Sequence, residues 1–234
     1  MKTTATNLSI FRKAPVFQNL SDNDLIRIAE AAHLRKIQSG EFYFFQGDPA
    51  ERIYLLLEGQ LKMTQSSPDG QQVLMRVISA GMLFGAVALA QAEVYPVSAQ
   101  AALDCSAVYW SKTELMEFVL QIPQLAMNTL RMMAEYVQEY QDRLRQSATE
   151  RVERRLARAL LRLASQSGRR VEEGVLIDLP LSRQDLAEMI GATLFTVSRF
   201  LSQWESHGLV VLGRERVIIR YPHGLVNIAE DLTP

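Results

Sequence analysis

The chain has 234 residues, of which 48% are hydrophobic and 22% are charged, and its formal net charge is −1. This is the composition of an ordinary globular protein with one large domain or two average ones, and the charge balance gives no overall bias towards an acidic or a basic partner. Cys105 is the only cysteine, which excludes an internal disulfide and an iron–sulfur cluster held by several thiolates.

No stretch of the sequence has the pattern of a membrane or export signal. Residues 1–17 contain lysines but lack the apolar core of a secretory signal. The longest apolar stretch, 80–90, contains two glycines and falls short of the ~20 residues needed to cross a bilayer, so we expect it to be buried core. Together with the lone cysteine, these features predict a cytoplasmic protein with no membrane partner.

The N-terminal half consists mainly of short β-rich segments separated by glycines. A short helix over Ser21–Ala32, capped by Ser21 or Asp22, is expected first. The predicted strands are Phe42–Phe45, Ile53–Leu57, Leu61–Thr64, Val73–Ile78 and Ser106–Trp110. Ser66–Gly70 carries the proline and glycine of a tight hairpin turn. Short strands at regular spacing predict a sandwich, roll or barrel over residues 36–111.

After Pro123 the spacing of apolar residues changes to that of a long helix. Six of them lie alternately four and three residues apart, which is the a/d pattern of a helix that pairs with another helix. They are Ala126, Leu130, Met133, Val137, Tyr140 and Leu144. Each large side chain contributes roughly 1.5–3 kcal/mol when buried, so we expect two copies of this seam to outweigh the entropic cost of association and form a homodimer. The alternative is a long helix that packs only against its own domain.

The last segment, from about Thr149, combines helices with short strands. Its first helix ends near Gly168, and Val175–Leu179 is a strand that Pro180 stops. The segment is also the basic part of the chain. Residues 151–228 contain twelve arginines, no lysine and eight acidic residues, whereas residues 1–147 contain thirteen basic and fifteen acidic residues. This local excess of positive charge favours a polyanionic partner.

Two helices joined by a short glycine turn follow that strand. A capping box over Ser182–Asp185 begins the first helix, Gly191 makes the turn, and Thr193 caps the second helix. A hairpin over 209–220 completes the segment. This is the pattern of a helix-turn-helix with a wing, in which the second helix enters the major groove of DNA.

The second helix has a core face and a face suited to DNA. We expect Val197, Phe200, Leu201 and Trp204 to face the core. The candidate DNA-binding residues are Ser182, Thr193, Leu194, Phe195, Thr196, Ser198 and Arg199. A guanidinium bonds guanine O6 and N7 together, a contact worth about 1–3 kcal/mol of discrimination, whereas hydroxyls suit phosphates or base edges. The sequence therefore predicts double-stranded DNA as the partner.

Three motifs carry a family resemblance. They are EFYFFQGDPAERIYLLLEGQLKM with PDGQQVLMRVISAGMLFGAVAL, the heptad helix after Pro123, and LSRQDLAEMIGATLFTVSRFLSQWESHGLV. With them the chain resembles the CRP/FNR family of bacterial transcription regulators from about Leu8 to Ile228. The resemblance implies an α+β fold with three parts. These are an N-terminal cyclic-nucleotide-binding-like β-roll (jelly roll) over 1–122, a dimerisation helix and hinge over 123–147, and a winged helix-turn-helix over 148–234.

The same resemblance implies a homodimer that binds an inverted-repeat operator, with RNA polymerase as a further partner if the protein is an activator. A signal in the roll is expected to shift the paired helices and a hinge near Gln146–Glu150. This shift sets the two recognition helices about 34 Å apart, which is one DNA turn. Switching from mostly inactive to mostly active requires roughly 5.5 kcal/mol of differential ligand affinity. Without an effector, the dimer is constitutively competent.

The first departure from the family pattern lies in the roll. Members that bind cyclic AMP have a Glu after the Phe-Gly of the roll for the ribose and a later Arg-Ser pair for the phosphate. This chain has Ala86 after Phe84-Gly85, and Tyr95-Pro96 in place of the pair. A cyclic phosphate would find neither its cation nor its ribose acceptor, so we do not expect cyclic AMP as a ligand. The corresponding pocket comprises Phe84, Gly85, Ala86, Tyr95, Ser98, Tyr136, Tyr140 and Gln141. It either takes a more apolar ligand or is filled by its own side chains.

The second departure lies in the recognition helix. Family members commonly have a Glu there that accepts a hydrogen bond from cytosine N4, whereas this chain has Leu194-Phe195. Ser198 and Arg199 match the family. We therefore expect Arg199 to read a guanine and Phe195 to contact a thymine methyl or respond to DNA shape. The half-site is expected to differ from the usual TGTGA or TTGAT.

Other functions of this fold would require particular ligand residues. A haem-based gas or redox sensor of the same fold needs an axial ligand, and His33 is the only histidine in the sensor half. We expect His33 to be a surface or structural residue in the N-terminal helix region, and Cys105 to be a buried strand residue. An oxygenase needs several metal-ligating histidines inside the roll, and none falls between residues 40 and 110. We therefore predict no metal site and no catalytic residues. A ligand-binding module that does not bind DNA is the remaining alternative, and the winged helix argues against it.

Overall fold

The computed structural model describes residues 5–68, 70, 72–90 and 92–232. Residues 1–4, at the start of the stretch searched for an export signal, and Asp69 of the predicted hairpin turn lie outside the described residues. The chain forms two compact units. The first comprises the chain up to Ser66 together with Arg76–Glu139, and the second comprises Ser67–Met75 together with the chain from Tyr140. No described helix is both long and apolar enough to cross a membrane.

The elements up to the end of the long helix alternate between short helices and strands. The helices are α1 (Ala5–Lys13), α2 (Asp22–Glu30), α3 (Lys112–Gln121) and α4 (Pro123–Thr149), with 3₁₀ turns at Pro15–Phe17 and Ala86–Ala90. The strands are β1 (His33–Ile37), β2 (Phe42–Phe44), β3 (Arg52–Glu58), β4 (Gln60–Ser66), β5 (Gln72–Ser79), β6 (Leu83–Phe84), β7 (Ser98–Ala101) and β8 (Cys105–Ser111). Ser21 accepts a hydrogen bond from the Asp24 amide and so caps α2, as its position in the sequence predicted.

The strands form two four-stranded sheets, in the orders β1-β8-β3-β6 and β2-β7-β4-β5. Strand β3 has five consecutive buried residues between exposed ends, because it lies inside its sheet. The Trp110 ring is fully buried between Phe11 and Phe17, and its indole N–H donates to the Ile28 carbonyl at 2.9 Å. This core attaches the N-terminal helices to the roll, and the predicted β-roll is confirmed.

One prediction about the sensor half is wrong. His33 does not lie in a helix but begins β1, where it pairs with Tyr109 of β8. The helix α2 ends at Glu30, and the chain turns into the sheet within two residues. Cys105 is a buried strand residue, as predicted, and its thiol donates to the carbonyls of Gln60 and Leu103.

The second unit contains the predicted helix-turn-helix and wing. Its elements after α4 are α5 (Val152–Ser167), β9 (Gly168–Val171), β10 (Gly174–Ile177), α6 (Arg183–Ile190), α7 (Leu194–Ser206), β11 (Val210–Gly213), β12 (Arg216–Ile219) and α8 (Pro222–Glu230). The sheet order is β11-β12-β10-β9. The predicted strand Val175–Leu179 ends two residues earlier, at Ile177. The end of the first helix at Ser167–Gly168 and the hairpin after Gly208 are confirmed within one residue.

Candidate nucleic-acid interface and sensor pocket

Both helices of the helix-turn-helix begin at a capping side chain, and a glycine makes the turn between them. The Asp185 amide donates to the Ser182 hydroxyl at 3.0 Å, and the Ser182 amide donates to the Asp185 carboxylate at 2.8 Å, which is the predicted capping box. Gly191 has φ 62° and ψ 50°, a left-handed conformation that ends α6 and suits glycine. Thr193 then accepts a hydrogen bond from the Thr196 amide at 3.2 Å, and its hydroxyl lies 2.9 Å from that of Thr196. Two hydroxyls predicted to face DNA, those of Ser182 and Thr193, therefore also cap their own helices.

Helix α7 has one buried face and one exposed face. Val197, Leu201 and Trp204 are buried, whereas the Phe195 ring is 76% exposed and Arg199 is exposed. Leu194 is also exposed, and Thr196 and Ser198 are half-buried. The face that carries Leu194, Phe195 and Arg199 is therefore available to a ligand from outside the unit.

The structure corrects the prediction for Phe200. It is half-buried rather than part of the core, and it lies between the Arg199 guanidinium, 5.1 Å from its ring centroid, and the Trp204 ring at 6.4 Å. A guanidinium stacked on an aromatic ring loses less side-chain freedom on binding, so this contact orients Arg199 at the surface.

Further arginines near α6 and the wing were not singled out from the sequence. Arg183, Arg214 and Arg216 line a recess of about 240 Å³ between the start of α6 and the wing. The Leu181 amide donates to the Glu215 carbonyl at 3.1 Å and so joins the wing tip to the start of α6. Guanidinium groups of this kind suit phosphate oxygens. The excess of arginine after residue 150 indicated this charge, but only the folded unit brings the three arginines to one recess.

The first four pocket positions predicted in the roll are brought together. Tyr95 is 3% exposed, and its ring stacks on Phe44 with centroids 3.7 Å apart. Its hydroxyl donates to the Arg52 carbonyl at 2.7 Å and accepts from the Arg52 amide at 3.0 Å. Burial raises the pKa of Tyr95 to about 12, so the hydroxyl remains protonated and keeps its donor. A Cβ at Gly85 would lie 3.4 Å from the Tyr95 ring and 3.0 Å from the Arg52 carbonyl, and Phe84 and Ala86 are buried beside it.

The remaining pocket positions have other surroundings. The Ser98 hydroxyl accepts a hydrogen bond from the Gln46 amide at 2.9 Å. The Tyr136 ring lies beneath the Arg76 guanidinium, 3.8 Å from the ring centroid, and Arg76 pairs with Glu139 at 3.2 Å. Tyr140 and Gln141 belong to the second unit and are exposed. The eight predicted positions are therefore divided between the two units.

The residues at the predicted ribose and phosphate positions, Ala86 and Tyr95, lack the groups that a cyclic nucleotide would need there. Between Phe84 and Ser98 the only charged residue of the sequence is Glu93, so this segment itself offers no guanidinium for a phosphate. Ala86 offers a methyl group where a ribose acceptor is needed, and both polar functions of the Tyr95 hydroxyl are used by the Arg52 backbone.

The Tyr95 hydroxyl gives a stability prediction. We expect Tyr95→Phe to lower the free energy of unfolding by about 1–3 kcal/mol, because the Arg52 amide and carbonyl lose their partner. Urea unfolding measures this difference. Tyr109→Phe is the matched control, because Tyr109 contacts the Arg52 guanidinium through its ring face at 5.0 Å, which the change retains. Equal, small effects of the two changes would contradict the role given to the Tyr95 hydroxyl.

No described residues form a metal site. Groups of three or more His, Cys, Asp or Glu suited to a metal ion are absent from the part of the chain that the structure describes. His33 is half-exposed, with its Nε2 3.5 Å from a Glu114 carboxylate oxygen. Burial raises the pKa of the Cys105 thiol, which disfavours the reactive thiolate.

The apolar seam predicted on α4 lies largely at the surface of the single chain. Leu130 is 62% exposed, Val137 56%, and Leu144 73%, and Tyr140 is exposed as well. Ala126 and Met133 are half-buried. Large apolar side chains exposed in one row along a 27-residue helix indicate a surface for another helix.

Comparison with known proteins agrees with both halves of this description. Residues 34–121 match the family model of the cyclic nucleotide-binding domain, and residues 154–228 match that of the Crp-like helix-turn-helix domain. The CRP-like cAMP-activated global transcriptional regulator of Mycobacterium tuberculosis is 22% identical over 210 residues, which cover 90% of this chain and 94% of the relative. The global nitrogen regulator of Synechococcus elongatus is 28% identical over 197 residues, covering 82% and 87%. The solved structure of FixK2 from Bradyrhizobium japonicum has a TM-score of 0.75 at 24% identity, covering 84% of this chain and 96% of that one.

A cyclic-nucleotide-binding-type roll followed by a winged helix defines a class of DNA-binding transcription regulators. Within that class, the chain belongs to the CRP/FNR family. The resemblance inferred from the sequence motifs is confirmed.

Proposed function

We propose that this regulator acts as a homodimer on an inverted-repeat operator in the cytoplasm, where RNA polymerase is its protein partner if it activates transcription. The observation that carries the proposal is the exposed face of α7, on which Phe195 and Arg199 stand opposite the buried Val197, Leu201 and Trp204. The exposed seam of α4 supports the dimer, because two copies of it bury the same apolar side chains against each other. A two-fold dimer requires a two-fold operator.

Base recognition is assigned to the exposed residues of α7. Arg199 donates two hydrogen bonds to a guanine in each half-site, and the Phe195 ring contacts a thymine methyl or responds to the local shape of the DNA. Arg183 and Arg214 bind phosphates on either side of the groove. Since Phe195 is an apolar group, the base that it faces is expected to differ from the cytosine read by a glutamate.

The effector of the roll is proposed not to be a cyclic nucleotide. The Mycobacterium tuberculosis relative is described as cAMP-activated, but in this chain Ala86 and the fully bonded Tyr95 offer neither ribose acceptor nor phosphate cation. The burial of Phe84 and Tyr95 favours a roll that is filled by its own side chains. On this basis the dimer binds its operator without a cyclic nucleotide.

The experiment that tests the proposal is selection of bound sequences from random duplex DNA by the purified, effector-free protein, repeated with cyclic AMP. We expect enrichment of an inverted repeat, with half-site centres about one helical turn apart, to the same degree in both experiments. Enrichment only with cyclic AMP would contradict the proposal about the effector. Enrichment of a single, unrepeated site would contradict the homodimer.

A further inference from the structure

Arg155, in the first turns of α5, binds four backbone carbonyls. Its Nε donates to Ile190 at 3.1 Å and its Nη2 to Gly191 at 3.3 Å, both at the end of α6. Its Nη1 donates to Ser147 at 3.2 Å and to Glu150 at 3.1 Å, at the end of α4. All of these residues belong to the second unit. One guanidinium therefore joins the end of the long helix to the turn that precedes the recognition helix.

The chemistry of these acceptors suits an arginine. The last carbonyls of a helix have no partner within the helix and carry a partial negative charge, so a cation there is stabilising. A guanidinium has five donors in a rigid plane and serves two helix ends at once, whereas a lysine ammonium is a single point on a flexible stem. The four contacts depend on the shape of the arginine and not only on its charge.

A charge network reinforces the same junction. The Glu150 side chain is only 5% exposed, and its carboxylate lies 3.1 Å from Arg158 Nε and 3.6 Å from Arg145 Nη1. Arg158 also binds Glu230 of α8 at 2.9 Å. The end of α4 is thus attached to α5 by both backbone and side-chain contacts. The segment Gln146–Glu150, which the sequence predicted to be a hinge, is therefore held to α5 by these contacts.

We propose that Arg155 is a positioning residue for DNA recognition, which fixes the direction of the end of α4 relative to the turn at Gly191. Through this brace the orientation of α7 follows the last turns of α4, which carry Tyr140 and Leu144 of the apolar seam in the same unit. Where two copies of those turns pair, the brace sets the separation and twist of the two recognition helices. The inference rests on the proposed homodimeric function. It predicts that Arg155 determines which operator spacing is accepted, while the side chains of α7 determine which bases are read.

The test is a series of operators in which the spacer between the selected half-sites is lengthened or shortened by one and two base pairs. Each added base pair rotates one half-site by about 34° and moves it by about 3.4 Å. Full-length wild-type protein and Arg155→Lys are compared by their ratio of affinities for the best and the altered spacers, and by their affinity for a single half-site. The ratio of the affinity for the best spacer to that for an altered spacer is the spacing ratio. We expect Arg155→Lys to reduce this ratio at least tenfold and to leave the affinity for a single half-site within about twofold of the wild-type value.

The matched control is Arg154→Lys. Arg154 is the neighbouring arginine of α5, but it binds the Ala229 carbonyl at 3.2 Å and Asp231, so it holds α8 and not the end of α4. The spacing ratio of Arg154→Lys is expected to equal that of the wild type. A second variant, Arg155→Gln, is measured in the same way should Arg155→Lys fold poorly, because a ratio taken on one preparation does not depend on its active fraction.

The inference is overturned if Arg155→Lys or Arg155→Gln weakens all operators equally and leaves the spacing ratio unchanged, since that is the behaviour of a residue that only stabilises the fold. Failure of the proposed function is recognised separately. In that case the wild type itself shows no preference for an inverted repeat.

Discussion

Val137→Glu is expected to convert the protein from a dimer to a monomer at concentrations at which the wild type remains dimeric. Val137 is 56% exposed in the single chain and lies in the row of Leu130 and Leu144 on α4. In a two-fold helix pair both copies of this position face the partner, so each dimer loses two buried valines at about 1.5–3 kcal/mol each. At about 1.4 kcal/mol per tenfold change, dimerisation becomes weaker by a factor of at least ~100. Two buried glutamates that face each other increase the loss.

Analytical ultracentrifugation across a range of concentrations measures this effect. Gln138→Glu is the matched control, because it adds the same charge at the next position, which is exposed and about 100° further round the helix. We expect Gln138→Glu to remain dimeric. If Val137→Glu and Gln138→Glu dimerise equally well, α4 packs only against its own chain, and the seam is not an interface.

Loss of the dimer also has a consequence for DNA binding. In a dimer the second half-site is bound intramolecularly, which raises the overall affinity by a factor of ~10²–10⁴. Val137→Glu is therefore expected to bind an inverted repeat about as weakly as a single half-site. Its affinity for the single half-site stays that of the wild type, because α7 is unchanged.

Much of this architecture follows from local sequence signals. The capping box at Ser182, the left-handed Gly191 and the cap at Thr193 each depend on residues within four positions, so the helix-turn-helix was predicted to within a residue. The buried strand β3 and the long α4 were predicted for the same reason, because an unbroken apolar run or a heptad is visible without any partner.

The missed elements depend on distant partners. Strand β1 is HLRKI, with no residue fully buried, and it exists because it pairs with β8 about 70 residues later. Strand β7 is SAQA, which lies between β2 and β4 and alternates in burial, but its buried residues are only alanines and its four positions are too few to predict a strand. Helix α8 contains Gly224 and begins at Pro222, and it was not predicted from the sequence, because its packing against α5 is not visible there. The local propensity for strand or helix is weak in these segments, and their structure is determined by contacts with residues that are distant in the sequence.

The candidate DNA-binding residues and their supports also divide into features that local sequence predicts and features that depend on tertiary packing. That Arg199 and Phe195 share an exposed face follows from helical spacing alone. That Arg155 joins two helix ends does not follow, because Ser147 and Ile190 are brought together only by the packing of three helices. The packing around Tyr95 likewise depends on Phe44 and Arg52, which approach it from strands β2 and β3.

Arg199→Ala is expected to abolish the preference for the paired guanines of the operator and to weaken binding to the selected sequence. A bidentate contact between a guanidinium and a guanine is worth about 1–3 kcal/mol, and the dimer contains two of them. The loss of roughly 2–6 kcal/mol weakens binding to the selected operator about 30-fold to 10⁴-fold. Competition titrations with the selected operator and with an operator in which the paired guanines are replaced measure both affinities. The variant is expected to bind the two operators equally.

Arg214→Ala at the wing tip is the matched control for Arg199. Arg214 is exposed beside the start of α6 and is assigned to a phosphate, so its removal is expected to weaken all sequences alike and to reduce the slope of log affinity against log salt by about 2 for the dimer. Arg199→Ala instead changes the ratio of the affinities for the selected operator and for the operator with replaced guanines. The two variants thus separate base reading from backbone attraction within one unit of the protein. If Arg199→Ala loses affinity equally for both operators and also lowers the salt slope, then Arg199 is a phosphate contact, and the bases are read by Phe195 and its neighbours on α7.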